Sequence, residues 1–538
     1  MADPKAFVKQ ISNYSDRIAY AMFFFAIVLV IGYQIWLLHV TSNQAPYLEP
    51  DNYEYLLFAN LSIQKGTFNV SNPYLVFAQQ GFFEHPGLFE VPFVLHYILF
   101  FLPLFWSFRV AYLLAILTIY IVTLLIAKDV LHNTIVSRPY RYVAYALVLV
   151  SYFLMQQTEI IEWRGNPFIL AFQLLILYVM SYIYTRELSL QKKAGLFALC
   201  LLFIGISYYI WSGWFVNLIA LVALVLCFEI YKRLSIKQRR LLYRAVAASA
   251  IIIGILLVFF SGTLDVVISD ITARFGYAGC IYNPLNLGEV SCLSGGSGLY
   301  TVILDMLFGC FTILTFLYSD IFANNRVKYE YLLVGSIMLL FLQLPVAIVY
   351  LRITELISPE LALIFGLGVI GMFIKMGSSK LVNVFVIFFI FLSTAIAFIN
   401  SAATTTVLYA IDNPLGLVHS TSYLSAYPNS TVLAFYAYGD YLEAYGHVKV
   451  YADTIQELNI TEILKLDMFY NETPSVACKG IVELKPVPDF VLLNSEMTVF
   501  SIFANASNES LIRNPLGFEG LCGYSLAYQN QSFYVFKR

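Results

Sequence analysis

The stretch "EPDNYEY" sets three acids, Glu49, Asp51 and Glu54, within six residues, directly after a long apolar run. Carboxylates are hard oxygen donors suited to Mg²⁺ or Mn²⁺, and such an ion neutralises a phosphate leaving group. Asp51 also heads "NYEYLLFANL", where an acid can simply cap a helix start by accepting its free N–H groups. Two arginines have a similar double character. Arg352, in "RITELISPELALIFGLG", and Arg164, in "EIIEWRGNPF", can each grip a phosphate with a bidentate fork or snorkel to lipid headgroups. Glu289, in "NLGEVSCLSGG", is either an exposed acid or a partner for Asp51.

The elements that must position these residues are membrane helices. Of the 538 residues, 60% are hydrophobic and only 12% are charged, about half the charged share of a soluble domain. Apolar runs of about 20 residues recur, long enough to cross a hydrocarbon core roughly 30 Å thick. We draw spans at 18–40, 107–127, 142–158, 167–185, 194–210, 212–231, 243–262, 299–318, 330–350, 358–375 and 380–399. A net charge of −2 gives no sign of nucleic-acid binding.

Charge placement orients the spans. With Lys5, Lys9 and Arg17 in the cytoplasm, every inside loop is basic, above all the one holding Lys232, Arg233, Lys237, Arg239, Arg240 and Arg244. The outer loops keep isolated arginines: Arg164, Arg274 and Arg352. The short apolar segment Val91–Trp106 is read as a helix at the outer interface, because a further span there would invert the basic 128–141 loop. The expected architecture is a polytopic α-helical membrane protein of about 11–13 spans over residues 1–400, with long outer loops 41–106 and 263–298.

From about Ser401 the apolar runs become short, β-branched and aromatic: "STVLAF", "HVKVYAD", "PDFVLLN" and "SFYVFKR". They predict a small extracytoplasmic α/β domain over 401–538. Glycosylation sequons at Asn60, Asn69, Asn429, Asn459, Asn471, Asn505, Asn508 and Asn530 all fall outside in this scheme, and only Asn13 falls inside. Cys280 and Cys292 share one outer loop and Cys478 and Cys522 share the outer domain, so two disulfides fit an oxidising compartment. The expected location is a cell membrane or the endoplasmic reticulum, with the N-terminus cytoplasmic.

A first outer loop opening with D-x-Y, here Asp51 and Tyr53, resembles the catalytic subunit of oligosaccharyltransferases within the GT-C glycosyltransferase superfamily. "RITELISPELALIFGLG" is similar to that family's arginine segment, and "VLAFYAYGDYLEAYGHVKVYAD" to the WWDYG segment that begins its soluble domain. The resemblance implies inverting transfer of a glycan from a polyprenyl (pyro)phosphate donor to asparagine of an acceptor polypeptide. It implies that Asp51 binds a divalent cation, Mn²⁺ or Mg²⁺, that Glu289 orients the acceptor nitrogen, and that Arg352 contacts the donor phosphate or the peptide; Arg164 is the second candidate for the donor phosphate. Phe435, Tyr436, Tyr438 and Asp440 would face the acceptor. Partners would be the lipid donor, the polypeptide and membrane lipids, with accessory subunits also compatible.

Two positions depart from the family. Ala437 stands where WWDYG has its acid, and Arg164 is followed by Gly165, Asn166 and Pro167 rather than by an acid pair. A C-mannosyltransferase-like GT-C enzyme and a non-catalytic paralogue or assembly subunit are the competing readings. A transporter fits less well, since ionisable residues are nearly absent from the span interiors.

Overall fold

The structure, a computed structural model, describes residues 17–32, 51–66, 104–132, 138–155, 166–210, 214–242, 330–349, 414–452, 469–496 and 507–538, with isolated positions between. The chain divides into two compact units. The first is drawn from Met1–Gln34, Tyr112–Gln157 and Gly165–Ala402, the second from Ile35–Ala111, Thr158–Arg164 and Ala403–Arg538.

The helices in chain order begin with α1 (Arg17–Gly32), α2 (Asp51–Lys65), α3 (Leu104–His132) and α4 (Arg138–Met155). They continue with α5 (Asn166–Thr185), α6 (Leu190–Ile210), α7 (Phe215–Arg233) and α8 (Glu330–Val349). Among the described residues, four helical stretches are long and apolar enough to cross a membrane: Val110–Leu131, Pro167–Thr185, Leu190–Tyr208 and Phe215–Arg233. Shorter apolar stretches occupy α1, α4 and α8. Phe197, Leu201, Leu202 and Tyr208 of α6 face outward, which suits contact with lipid tails as apolar as the side chains themselves. The protein is therefore a membrane protein.

The first unit packs α5, α6, α7 and α8 against one another. Gly335 lets α8 come close: a Cβ there would sit 2.4 Å from Leu177 Cδ1 of α5 and 3.0 Å from Leu224 and Phe228 of α7. Rings join α1 to α4 through Tyr20 and Tyr142, 4.2 Å apart. At the basic loop after α7, Arg239 forms an ion pair with Glu330 at 3.0 Å and lies 4.5 Å from the Tyr231 ring. The Tyr231 hydroxyl donates to the same carboxylate. A segment rich in like charges is thus tied to the start of α8.

The second unit holds a five-stranded sheet in the order β2-β1-β3-β5-β4. Its strands are β1 (Thr431–Leu433), β2 (Lys449–Val450), β3 (Phe490–Asn494), β4 (Ser525–Asn530) and β5 (Phe533–Lys537). β1 runs parallel to β2 and β3, while β3–β5 and β5–β4 are antiparallel. Every residue of β1 and β3 is buried, which explains their continuous apolar runs. Further helices are α9 (Pro414–Leu424), α10 (Tyr436–Tyr441), which runs on into a π-helical turn at Leu442–Gly446, and α11 (Pro474–Glu483). A disulfide joins Cys478 of α11 to Cys522, with Cα atoms 6.1 Å apart.

Sequence and structure differ at three places. α3 begins at Leu104, so the end of the expected interfacial segment belongs to the helix of the following span. The strand expected through "STVLAF" stops at Leu433, and "HVKVYAD" contributes only Lys449–Val450, because His447 takes a left-handed turn at φ 52°. The predicted spans 299–318 and 380–399 lie outside the described residues.

Candidate functional site

Asp51 is the first residue of α2, where an acid complements the positive end of the helix dipole. α2 is fixed by Leu56, Leu57, Ala59 and Leu61, all buried. Leu57 and Leu61 pack with Tyr74 and with Ala444 of the π turn. Through these contacts α2 lies against α10 and the π turn. The chain after α2 then joins the sheet. Val450 N–H donates to Tyr74 O at 2.8 Å and Val76 N–H to Val450 O at 2.9 Å, the pattern of parallel pairing at the free edge of β2. α2 and the chain at Tyr74 thus both contact the stretch from α10 to β2 within the second unit.

That segment is built largely as core. Phe435 (1% exposed) precedes α10 in extended conformation, and Tyr438 (2%) follows one turn later. The Tyr438 hydroxyl accepts a hydrogen bond from Asn494 Nδ2 at 2.9 Å, and its ring contacts Phe435 and Phe533. Tyr436 opens α10; its side chain lies outside the described residues. Asp440 and Glu443 are both fully buried and three residues apart, hence on one helical face. Burial also pushes the Tyr441 hydroxyl well above the usual tyrosine range. At the end of the π turn, Gly446 allows close approach to α9: a Cβ there would sit 3.3 Å from Thr421 Cγ2. π turns inside helices mark functional sites with unusual frequency.

Nothing in the sequence singles out Glu443 except its spacing from Asp440 within otherwise apolar and aromatic "DYLEAYG". It is the interior acid that sequence reasoning missed. Glu289, Arg164 and Arg352 lie outside the described residues, as do Cys280 and Cys292 and the sequons at Asn69, Asn459 and Asn505. Asn60, Asn429 and Asn508 are exposed; Asn471 and Asn530 are half-buried. Among the described residues no group of three or more His, Cys, Asp and Glu side chains lies close enough to hold a metal ion. The Asp51 side chain and Glu289 are not among them.

Apolar helices in one unit and a small mixed sheet with flanking helices in the other compose a fold shared with oligosaccharyltransferases. In particular, the chain is similar to the archaeal oligosaccharyltransferase AglB from Archaeoglobus fulgidus in complex with an inhibitory peptide and a dolichol-phosphate. The TM-score is 0.57 and the identity 14%, over 95% of this chain and 74% of that one. A crystal structure of the Archaeoglobus fulgidus oligosaccharyltransferase in complex with Zn and sulfate gives a TM-score of 0.53 and 14% identity, over 91% of this chain and 69% of that one. No family model and no curated protein sequence matches the chain.

Proposed function

We propose that the protein is a membrane glycosyltransferase of the oligosaccharyltransferase kind, moving a glycan from a polyprenyl (pyro)phosphate to an asparagine amide of a polypeptide. The observation that carries this reading is the docking of the Asp51-headed helix against the 436–446 segment, within a fold shared along nearly the whole chain. The peptide and dolichol-phosphate in the AglB complex fit the two substrate classes.

In this reading Asp51 supplies a carboxylate to a divalent cation, Mn²⁺ or Mg²⁺, whose chemistry when bound is to neutralise charge on the departing phosphate. Hard oxygen donors match such an ion. An amide nitrogen is a poor nucleophile, and Glu289 accepts a hydrogen bond from it to orient it toward the sugar. Arg352 and Arg164 hold the donor phosphate with fork-shaped hydrogen bonds. Phe435 and Tyr438, being buried, shape the acceptor region from beneath, and Tyr436 contacts the peptide directly. Asp440 belongs to the same acceptor region, and Glu443 is buried beside it. In the same reading residues 401–538 form a soluble domain outside the membrane, which the sequons along it support.

The test is transfer from a synthetic polyprenyl-pyrophosphate sugar to a fluorescent peptide containing Asn-x-Thr, using membranes that hold the full chain. Mn²⁺-dependent formation of a glycopeptide is the expected result. Failure with several donors, in a correctly inserted protein, would refute the reading.

A further inference from the structure

The exposed face of α7 ends in charge. Val222, Leu226 and Ile230 are 52%, 58% and 60% exposed and recur every four residues, so they form one stripe along the helix. Lipid tails cover such a stripe in a membrane. Arg233, exposed and three residues after Ile230, continues the stripe at the end of the spanning stretch Phe215–Arg233. The chain bends at Leu234, which is extended, and a new helix runs over residues 236–242, with Arg244 also helical. Ser235 caps it reciprocally: Ser235 N–H donates to Gln238 Oε1 at 2.8 Å, and Gln238 N–H to Ser235 Oγ at 3.4 Å. On this helix Lys237, Leu241 and Arg244 follow one another at spacings of four and three residues, and all three are exposed.

Charge accounting shows what this junction lacks. Residues 214–245 hold six cations, Lys232, Arg233, Lys237, Arg239, Arg240 and Arg244, and one acid, Glu229. Glu229 already accepts the Tyr184 hydroxyl at 2.9 Å, and Arg239 is paired with Glu330. Among the described residues, the side chains of Arg233, Lys237 and Arg244 have neither a carboxylate nor a hydrogen-bond acceptor as partner. Ile236, Leu241 and Leu242 stand exposed between them. Water alone leaves these apolar groups uncovered, and an apolar partner leaves the cations unpaired. A soluble phosphate pairs the cations and leaves the apolar stripe bare. A phospholipid of net negative charge answers both needs, its headgroup meeting the cations and its tails the apolar side chains.

We propose that the junction between α7 and the helix at 236–244 binds an anionic phospholipid, with Arg233, Lys237 and Arg244 at its headgroup and Val222, Leu226 and Ile230 along its tails. The Arg239–Glu330 ion pair and the Tyr231 hydroxyl tie the bend to α8, so the site is ordered before the lipid arrives. In the topology expected from charge this end of α7 is cytoplasmic, the side whose leaflet carries anionic lipid. Each cation at such a surface favours anionic over neutral lipid by about fivefold. Salt screens part of that, so about tenfold is the preference expected of the three together. The inference does not depend on the proposed transfer reaction.

The test is native mass spectrometry of the full chain in a neutral detergent, titrated with dioleoylphosphatidylglycerol or dioleoylphosphatidylcholine. The wild type should bind the first phosphatidylglycerol about tenfold more tightly than phosphatidylcholine. The triple variant Arg233→Gln, Lys237→Gln, Arg244→Gln should lose most of that preference. Removing three cations elsewhere, by Arg186→Gln, Lys192→Gln and Lys193→Gln, should leave it as in the wild type. Leu241→Gln keeps every charge and should weaken phosphatidylglycerol binding about threefold through lost apolar contact. No preference in the wild type, equal loss in the two triple variants, or undiminished binding by Leu241→Gln overturns the proposal. Displacement of the bound lipid by glycerophosphoglycerol, its soluble headgroup, also overturns it, because the site would then be one for a free phosphate ester.

Discussion

Leu57→Ala tests how α2 is held against the 436–446 segment. Leu57 is 3% exposed and forms a small cluster with Leu61, Tyr74 and Ala444. Truncating a buried leucine costs about 2–5 kcal/mol, the lower end applying where neighbours can collapse into the space. A two-leucine cluster at the edge of a unit is such a place, so we take ~2 kcal/mol. That is roughly a 30-fold rise in the population in which α2 is undocked. Hydrogen exchange of the amides in Asp51–Lys65 reads this directly, with exchange about 30-fold faster in the variant under conditions where reclosing outpaces exchange. Leu57→Met conserves volume and should cost well under the ~2 kcal/mol of Leu57→Ala, so its exchange should be accelerated less. The edge pairing of Val450 with Tyr74 and Val76 should loosen less, since backbone hydrogen bonds hold it. Unchanged exchange in Leu57→Ala, or equal acceleration in both variants, would refute the claim that this contact docks the helix.

Reducing the Cys478–Cys522 disulfide, which closes a 44-residue separation, should cost the second unit about 4 kcal/mol by the loop-entropy estimate; thermal unfolding of Cys478→Ser checks it. Glu330→Ala leaves Arg239 half-sheltered without its carboxylate and should cost about 3 kcal/mol, read as a lower unfolding temperature, with Glu330→Gln losing less. Burial pushes the Tyr524 hydroxyl up to about 12, and it donates to Pro488 O at 2.7 Å. The folded state therefore keeps a proton that the unfolded chain releases near pH 10, so stability is full below pH 10 and falls as pH rises to about 12. Tyr524→Phe should flatten that fall in a pH series of unfolding midpoints. Chelation with EDTA should abolish peptide glycosylation, and added Mn²⁺ or Mg²⁺ should restore it.

Much of the fold is written in apolar patterning. The expected spans 142–158, 167–185, 194–210, 212–231 and 330–350 coincide with α4 to α8 to within a few residues, because a helix in hydrocarbon must be apolar throughout its length. β1 and β3 stand out as continuous buried runs. β4 does not: "SLAYQN" is an edge strand with no fully buried residue, so neither alternation nor a buried run marks it. The addition of Tyr74–Val76 to the sheet is also invisible in sequence, since it depends on backbone groups from segments far apart. The candidate site is legible in types more than in roles. Phe435 and Tyr438 read as an aromatic recognition motif, yet the same residues serve as core, and sequence alone does not separate the two. Gln173 and Gln343 come from distant helices, and only packing brings their amides together.

The proposed reaction puts Asp51 at the head of a catalytic helix. The direct measurement is glycopeptide formation from a polyprenyl-linked donor by Asp51→Ala and wild-type protein at equal levels in membranes. Insertion and the Cys478–Cys522 disulfide are verified in both. Transfer by the wild type and none by the variant is the expected result; equal transfer by the two would contradict the proposed role of Asp51.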